Sequence, residues 1–229
     1  MKNKKKVAVV TGAGGDMGFT ISKMLSAQGV NVLMIDLKSP KQKIPPGAQF
    51  TEGDVTDPNF LEETINHFAD DKGHIHYLVN CAGVLWFDKD TSLVEIDLDV
   101  WDKVIDINLK GTALAVRYAV PWMKLSGNGS MVHISSIQAL RGDKKAQDAY
   151  GASKAGLLAL SKSLAIQLAE YKIRSNAILP GAIHTQMQKR WTDDSSLARK
   201  VSANIPLGRL GTKEDIANAT SFLLSDTSS

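Results

Sequence analysis

Six short strand-like runs alternate along the chain with longer stretches whose apolar residues recur at helical spacing. The strand-like runs are Val7–Val10, Val32–Asp36, Gln49–Glu52, Tyr77–Asn80, Met131–Ser135 and Arg174–Leu179. Helices are expected over Met17–Gln28, from Pro58, over Val100–Met123 with a bend near Pro121, over Tyr150–Glu170 and over Thr212–Leu224. This order is typical of a parallel sheet covered by helices on both faces. The sequence therefore predicts an α/β fold built on a doubly wound parallel sheet.

The composition is that of a globular domain rather than a disordered chain. Of 229 residues, 43% are hydrophobic and 22% are charged, and a chain of this size can bury roughly 70 to 75% of its unfolded surface. No repeat, low-complexity tract or linker interrupts the pattern. We therefore expect residues 1–229 to form a single domain with a basic tail at residues 1–6.

The charge pattern excludes several classes of partner. Lysine and arginine (27) barely outnumber aspartate and glutamate (24), and the tail alone holds Lys2, Lys4, Lys5 and Lys6. The body is close to neutral, which gives no support to nucleic-acid binding. The apolar run behind the tail breaks at Thr11 and Gly12, too early for a secretory leader. No run reaches the ~18 apolar residues of a membrane span, so we expect a cytoplasmic protein.

Cysteine and histidine usage argues against disulfide and metal chemistry. The single cysteine, Cys81, has no internal disulfide partner, and the five histidines show no spacing typical of metal ligands. We expect no metal. We interpret Cys81 as a small filler rather than a nucleophile, because no histidine base is recognisably paired with it.

A glycine-rich turn, Thr11–Gly18, lies between the first predicted strand and the first predicted helix. Glycines there let the backbone approach a pyrophosphate, and the helix N-terminus favours its charge. The alternative is a tight turn that merely needs positive φ.

Asp36 follows Gly18 by 18 residues, at the end of the second strand. Its carboxylate can accept hydrogen bonds from ribose hydroxyls and would repel a 2′-phosphate, which favours NAD over NADP. The positive charge of nearby Lys38 weakens that preference. The alternative is that Asp36 is merely a solvated residue at the end of a strand.

Tyr150 and Lys154 lie four residues apart, hence on one face of a helix. A neighbouring cation favours the phenolate, and a tyrosine pKa near neutrality needs about 4 kcal/mol of differential stabilisation, from the lysine and a positive nicotinamide ring together. This spacing alone is common on helix surfaces. Ser135 and Ser136 end the fifth strand, where a ligand crevice is expected, so a serine there can face the tyrosine.

Taken in order, these motifs resemble the classical short-chain dehydrogenase/reductase family, from residue 7 to about residue 224. The matching positions are Thr11–Gly18, Asp54 with Val55, Asn80–Gly83, Asn108, Ser136, Tyr150 with Lys154, and Pro180 with Gly181. The resemblance implies a Rossmann-like fold of three layers, a nicotinamide cofactor and a homo-oligomer, a tetramer or dimer.

The resemblance also implies roles for individual residues. Tyr150 would be the acid or base acting on the substrate oxygen, and Ser136 would orient that oxygen. Lys154 would bind the nicotinamide ribose and lower the tyrosine pKa, and Asn108 would hold a water in a proton relay. The remaining implied nucleotide contacts are Gly12, Asp16, Met17, Gly18, Asp36, Asp54, Val55, Asn80, Ala82, Gly83, Pro180, Gly181, Ile183 and Thr185.

Three features depart from the family pattern. Asp16 stands where a glycine is usual, and we expect it to cap the helix and leave NAD binding intact. The loop Ile137–Ala149 is one residue longer than is common; it carries Arg141, Asp143, Lys144 and Lys145 and should border the substrate. The sequence also stops at Ser229, where relatives continue into a further strand, so one sheet edge is expected to be exposed.

The sequence thus predicts an NAD-dependent oxidoreductase that interconverts a secondary alcohol and a ketone. The alternatives are a 3-oxoacyl thioester reductase and a non-catalytic NAD-sensing module. Residues 186–204 are expected to form a lid over the nicotinamide. Candidate substrate residues are Trp86, Phe87, Gln138, Leu140, Met187 and Trp191.

Overall fold

The computed structural model describes residues 5–185, 187 and 195–229. The strands are β1 (Val7–Thr11), β2 (Asn31–Asp36), β3 (Ala48–Glu52), β4 (Tyr77–Asn80), β5 (Gly129–Ile134) and β6 (Ile173–Ile178). The helices are α1 (Asp16–Ala27), α2 (Pro58–Lys72), α3 (Leu98–Ile105), α4 (Gly111–Leu125), α5 (Asp148–Gln167), α6 (Ser195–Ala203) and α7 (Lys213–Leu224). A π-helical turn (Asp106–Lys110) joins α3 to α4, and short 3-10 turns lie at Ile137–Ala139, Ala169–Tyr171 and Asp226–Ser228.

The six strands form one parallel sheet in the order β3-β2-β1-β4-β5-β6. The chain winds outward from β1 to β3, crosses back to β4 beside β1, and winds outward again to β6. Because the winding reverses between β1 and β4, the loops that follow these two strands diverge and leave a crevice at the carboxyl ends. The prediction of a single doubly wound α/β domain is confirmed.

Helices cover both faces of the sheet, which gives three layers. Leu61 of α2 and Met123 of α4 are fully buried on one face. Ile21 of α1 and Leu224 of α7 are buried on the other. The four inner strands, β1, β2, β4 and β5, are buried on both sides, which explains why they are nearly continuous apolar runs in the sequence.

Two helix starts follow their local sequence signals. Asp57 caps α2 by accepting hydrogen bonds from the amides of Asn59 and Phe60, with Pro58 in the first helical turn. At α7, the Thr212 side chain accepts from the Asp215 amide while the Asp215 carboxylate accepts from the Thr212 amide. Thr212 and Asp215 thus form a capping box at the start of α7.

The helical region around residue 100 differs from the prediction. The irregularity lies at Asp106–Lys110, where the Gly111 amide donates to the Asp106 carbonyl five residues earlier. Pro121 lies inside α4. A single extra residue in a turn leaves no composition signal that hydrophobic periodicity would detect, and such π-helical turns often occur at functional sites.

Two carboxylates clamp the start of α5 to the loop that follows β4. The side chain of Asp90, which is fully buried, accepts from the amides of Ala149 (3.1 Å) and Tyr150 (2.8 Å). Reciprocally, the Asp148 carboxylate accepts from the Leu93 amide at 2.7 Å. The first amides of a helix lack intrahelical partners, so Asp90 satisfies groups that would otherwise be buried without a hydrogen bond.

We expect Asp90→Ala to lower the free energy of unfolding by about 2–4 kcal/mol, because it removes a buried acceptor from two amides. Asp90→Asn keeps one acceptor oxygen and should give an intermediate loss. Urea unfolding followed by circular dichroism measures both. The control is Asp88→Ala, an exposed aspartate two residues earlier, expected within about 0.5 kcal/mol of the parent; equal losses for Asp88 and Asp90 would contradict this account.

Candidate active site

The glycine cleft is an opening of about 280 Å³ at the carboxyl ends of β1, β2 and β4. Many of the residues assigned to a nucleotide from the sequence line it: Gly12, Asp16, Met17, Gly18, Asp36, Asp54, Val55, Ala82, Gly83 and Thr185. The same wall includes Gly15, Leu37, Gly53, Cys81, Val84, Ile107 and Met187. Sequence reasoning therefore located most of this cleft.

The glycines of the turn are needed for its own folding. Gly12 has a φ of 68°, and a Cβ built on it would lie 2.5 Å from the Ala82 amide nitrogen. A Cβ on Gly18 would lie 2.2 Å from the Gly12 carbonyl oxygen. These close approaches bring β1, α1 and the loop after β4 together around the cleft, so that α1 begins at its edge.

Asp16 does not occupy the cap position that we expected for it. The cap residue of α1 is Gly15, and Asp16 is the first residue of the helix. Its carboxylate therefore stands in the first turn, where negative charge complements the helix dipole. Gly15 has no side chain that could accept from the first amides of α1. Because Gly15 and Asp16 line the cleft, the positive end of this helix lies at the cleft.

Asp36 ends β2 and is tied to the glycine turn. One carboxylate oxygen accepts from the Gly14 amide (2.9 Å), and the other accepts from the Lys38 amide (3.4 Å). A carboxylate oxygen can accept more than one hydrogen bond. The side chain is thus oriented by the backbone, lines the cleft, and retains acceptor capacity toward a ligand.

The tyrosine cavity, of about 350 Å³, adjoins the glycine cleft and shares Met17, Cys81, Gly83, Thr185 and Met187 with it. Its wall brings together residues predicted to act chemically and residues predicted to hold nicotinamide or substrate. These are Ser136, Gln138, Tyr150, Lys154, Pro180, Gly181 and Ile183. Residues from three separate segments therefore meet at one site.

Lys154 is buried and its amine is oriented by the main chain. Its Nζ donates to the carbonyl of Ile134, the last residue of β5, at 2.9 Å, and lies 5.6 Å from the centre of the Tyr150 ring. Ser135 Oγ donates to the Lys154 carbonyl at 2.8 Å, which ties α5 to the end of β5. Ser136 begins the following 3-10 turn, where its hydroxyl accepts from the Gln138 amide.

The pKa of Tyr150 moves in the direction opposite to our expectation. Burial raises the pKa of the phenol, and the interaction with the Ser136 side chain, which lowers it, only partly offsets that effect. Burial also lowers the pKa of Lys154 to about 8. The lysine alone therefore does not make the tyrosine acidic, because the same dry environment disfavours both charged forms.

Asn108 lies in the π-helical turn and is fully buried. Its Oδ1 accepts from the Val84 amide (2.7 Å), and its Nδ2 donates to the Val84 carbonyl (3.0 Å) and to Ser153 Oγ (3.1 Å). Ser153 Oγ in turn donates to the Tyr150 carbonyl. The Asn108 side chain thus connects the loop after β4 to α5 and is occupied by protein partners.

Sequence reasoning missed two residues beside this network, Ser153 and Asp90, and the packing role of Gly83. A Cβ on Gly83 would lie 3.2 Å from both Asn108 Oδ1 and Lys154 Nζ, so glycine lets these side chains approach. Ser153 stands between Tyr150 and Lys154 in the sequence, and its small polar side chain is the only local signal. Asp90 has no local signal, since its partners lie 59 and 60 residues away.

Several predicted residues lie away from the cavities. Asn80 is buried in β4, with Nδ2 3.1 Å from Nδ1 of His133, so it supports the sheet rather than lining the cleft. Trp86 packs against the same apolar cluster as Tyr150, whereas its neighbours Leu85 and Phe87 line the tyrosine cavity. Leu140 is 72% exposed and lines neither cavity.

The predicted lid is described only in part. Trp191 and the other positions of 188–194 lie outside the described residues, as does residue 186. Met187 lines both cavities, and Val201 of α6 lines the tyrosine cavity. The lid therefore remains an expectation.

Cys81 lines both cavities, where we interpret it as a packing residue rather than a nucleophile. Burial raises the pKa of its thiol to about 11, so the thiolate is scarce at neutral pH. In the part of the chain that the structure describes, no group of three or more histidine, cysteine, aspartate or glutamate residues could hold a metal ion. None of the described helices is long and apolar enough to cross a bilayer.

Comparison with known proteins agrees with this geometry. A family model described as enoyl-(acyl carrier protein) reductase matches residues 12–229. 3-Oxoacyl-[acyl-carrier-protein] reductase FabG of Thermotoga maritima is 34% identical over 240 residues, which cover 100% of this chain and 94% of that protein. Dehydrogenase/reductase SDR family member 4 of Bos taurus is 32% identical over 237 residues, covering 98% of this chain and 82% of that protein.

The fold comparison points the same way. The ligand-free structure of Thermoplasma acidophilum aldohexose dehydrogenase matches with a TM-score of 0.90 and 29% identity, over 98% of this chain and 89% of that one. Sequence similarity and fold thus extend over nearly the whole chain, and Ser136, Tyr150 and Lys154 share one cavity within it. The chain belongs to the short-chain dehydrogenase/reductase family and is an NAD(P)-dependent oxidoreductase that acts on CH–OH groups.

Proposed function

We propose that the protein interconverts a secondary alcohol and its ketone with NAD as cofactor and Tyr150 as general acid or base. The observation that carries the proposal is that Tyr150, Ser136 and Lys154 line a cavity continuous with the glycine cleft. A substrate carbinol in that cavity would lie within reach of both a proton-transferring phenol and a nicotinamide. When bound, the nicotinamide ring would accept or donate the hydride.

The residues of the glycine cleft fit a dinucleotide. The start of α1, where the helix dipole is positive, would face the pyrophosphate. Asp36 would accept from the adenosine ribose hydroxyls, and Asp54 and Val55 would flank the adenine. The segment from Pro180 to Thr185 lines the tyrosine cavity, where it would hold the nicotinamide end.

Proton transfer would pass through Tyr150. In the oxidation direction the hydroxyl proton of the alcohol moves to the phenolate oxygen as hydride leaves the carbon; in reduction the phenol returns a proton to the carbonyl oxygen. Ser136 would hold the substrate oxygen by a hydrogen bond. Lys154 would bind the ribose and favour the phenolate. A water of the proton relay would lie beside Asn108, whose side chain already bonds to Val84 and Ser153.

Two other functions remain for comparison. A 3-oxoacyl thioester reductase is favoured by the Thermotoga maritima relative, but such an enzyme commonly uses NADPH, and the Asp36 carboxylate disfavours a 2′-phosphate. An NAD-sensing module without turnover would have no need for Ser136, Tyr150 and Lys154 in one cavity.

We also propose that the protein is cytoplasmic and forms a homo-oligomer, a tetramer or dimer. Light scattering after size-exclusion chromatography measures the mass of the assembly and tests the oligomeric state.

Tyr150→Phe should lower kcat/KM by roughly two to four orders of magnitude, since it removes the proton-transferring oxygen. The measurement is absorbance of the reduced nicotinamide during oxidation of a panel of secondary alcohols. Tyr118→Phe serves as control and should retain parent activity. It removes a hydroxyl from a tyrosine of α4 that packs against the apolar core. Full turnover by Tyr150→Phe would refute the assigned base, and a parent inactive on every alcohol and ketone would favour the sensor.

The two reaction directions should respond to pH with opposite signs. Burial raises the pKa of Tyr150, so at neutral pH the nucleotide-free protein holds the phenol in its protonated form. Because reduction needs the phenol and oxidation needs the phenolate, the rate of reduction should fall and the rate of oxidation should rise as pH increases through the pKa in the nucleotide complex. Single-turnover rates between pH 6 and 10 measure both, and slopes of the same sign would contradict the assignment.

Asp36→Asn should raise the ratio of NADP affinity to NAD affinity by a factor of about ten or more, because it removes the negative charge while keeping an acceptor of similar size. Calorimetric titration of each nucleotide measures the two dissociation constants. Glu52→Gln is the matched control, as it neutralises an exposed carboxylate at the end of the neighbouring strand that does not line the cleft. Equal ratios in both variants would show that Asp36 does not select the cofactor.

A further inference from the structure

Two cationic side chains, Arg141 and Lys145, line the tyrosine cavity together with Tyr150 and Ser136. Both belong to the loop between the 3-10 turn at Ile137–Ala139 and α5, and both are exposed, so they stand where the cavity opens to solvent. The ammonium of Lys145 lies 5.6 Å from the centre of the ring of Phe87, which also lines the cavity. Positive charge therefore borders the entrance from which a substrate would reach the phenol.

This charge is not neutralised within the described chain. Asp143 is the carboxylate among the described lining residues, and its oxygens already accept from Gln138 Nε2 (3.0 Å) and the Lys145 amide (3.4 Å). Among residues 5–185, 187 and 195–229, the ion pairs involve neither Arg141 nor Lys145. Two cations against one occupied carboxylate leave the entrance with net positive charge.

The cavity wall also includes apolar side chains. Leu85, Phe87, Ile137 and Val201 line it alongside the polar residues near the phenol. A bound molecule would thus meet apolar side chains along its body, a hydrogen-bonding pair at Tyr150 and Ser136, and cations at its outer end. This order of chemistry defines a substrate with a reacting oxygen at one end and negative charge at the other.

We infer that the substrate carries an anionic group, a carboxylate or a phosphate, on an apolar body, and that Arg141 and Lys145 bind this group at the entrance of the tyrosine cavity; this rests on the proposed function. A guanidinium presents two parallel donors that match a carboxylate or phosphate, and such charge-assisted bonds are shorter and stronger than neutral ones. The same charges raise the encounter rate with an anion and lose effect as salt is added.

The test compares three alcohols that share one ring: 3-hydroxycyclopentanecarboxylate, its methyl ester, and 3-hydroxycyclopentyl phosphate. We expect kcat/KM for one of the two anions to exceed that for the neutral ester at least tenfold at low ionic strength, and the anion that does so identifies the group. In Arg141→Gln and in Lys145→Gln this ratio should fall toward one. Lys144→Gln is the matched control, because Lys144 carries the same charge in the same loop but does not line the cavity.

Equal use of anion and ester by the parent, or an equal change of the ratio in Arg141→Gln and Lys144→Gln, would overturn the inference while leaving the proposed function intact. If none of the three alcohols is oxidised and the panel of secondary alcohols and ketones is also unreactive, the proposed function fails. Calorimetric titration of two unreactive anions, cyclopentanecarboxylate and cyclopentyl phosphate, then tests the anion site alone. Binding that is lost in Arg141→Gln and kept in Lys144→Gln supports the site. No binding by the parent, or equal binding by both variants, overturns it.

Discussion

The buried amine of Lys154, held by the carbonyl oxygen of Ile134 at 2.9 Å, is the constraint on which the rest of the site depends. It joins the last residue of β5 to the middle of α5, and Ser135 reinforces the connection through the Lys154 carbonyl. Burial lowers the pKa of this amine to about 8 and raises that of the Tyr150 phenol. Burial in one desolvated cavity thus favours the neutral form of both the Lys154 amine and the Tyr150 phenol. A ligand that restored polar contacts to these groups would favour their charged forms.

Local patterns were enough to predict the sheet, because strands buried on both faces and helices with apolar stripes leave direct traces in the sequence. The cap at Thr212 and the glycine turn are equally local. Asp90 could not be predicted, since its role arises from contacts with α5 some 60 residues later. The direction in which the pKa of Tyr150 shifts could not be predicted either. The spacing of Tyr150 and Lys154 indicates that a cation is near the phenol. The burial that raises the pKa of the phenol is a property of the folded site and is not visible in the sequence.

The two cavities carry opposite electrostatic character at their outer ends. Asp36 supplies negative charge where the adenosine ribose would lie, and Arg141 and Lys145 supply positive charge where the substrate would enter. Between them, Cys81 and Gly83 form a shared wall, and the high pKa of the Cys81 thiol keeps that wall uncharged. The crevice is therefore polarised along its length, which favours one orientation of two ligands bound end to end.

The π-helical turn at Asp106–Lys110 also sets the phase of the helix that follows it. Each residue advances an α-helix by about 100°, so one additional residue rotates the whole of α4 about its axis by that angle relative to α3. Ala115, Ala119 and Met123 all point into the core with this rotation in place. A single-residue deletion here would turn that apolar stripe away from the sheet, so the same irregular turn that seats Asn108 also keeps the helix in register with the layer beneath it.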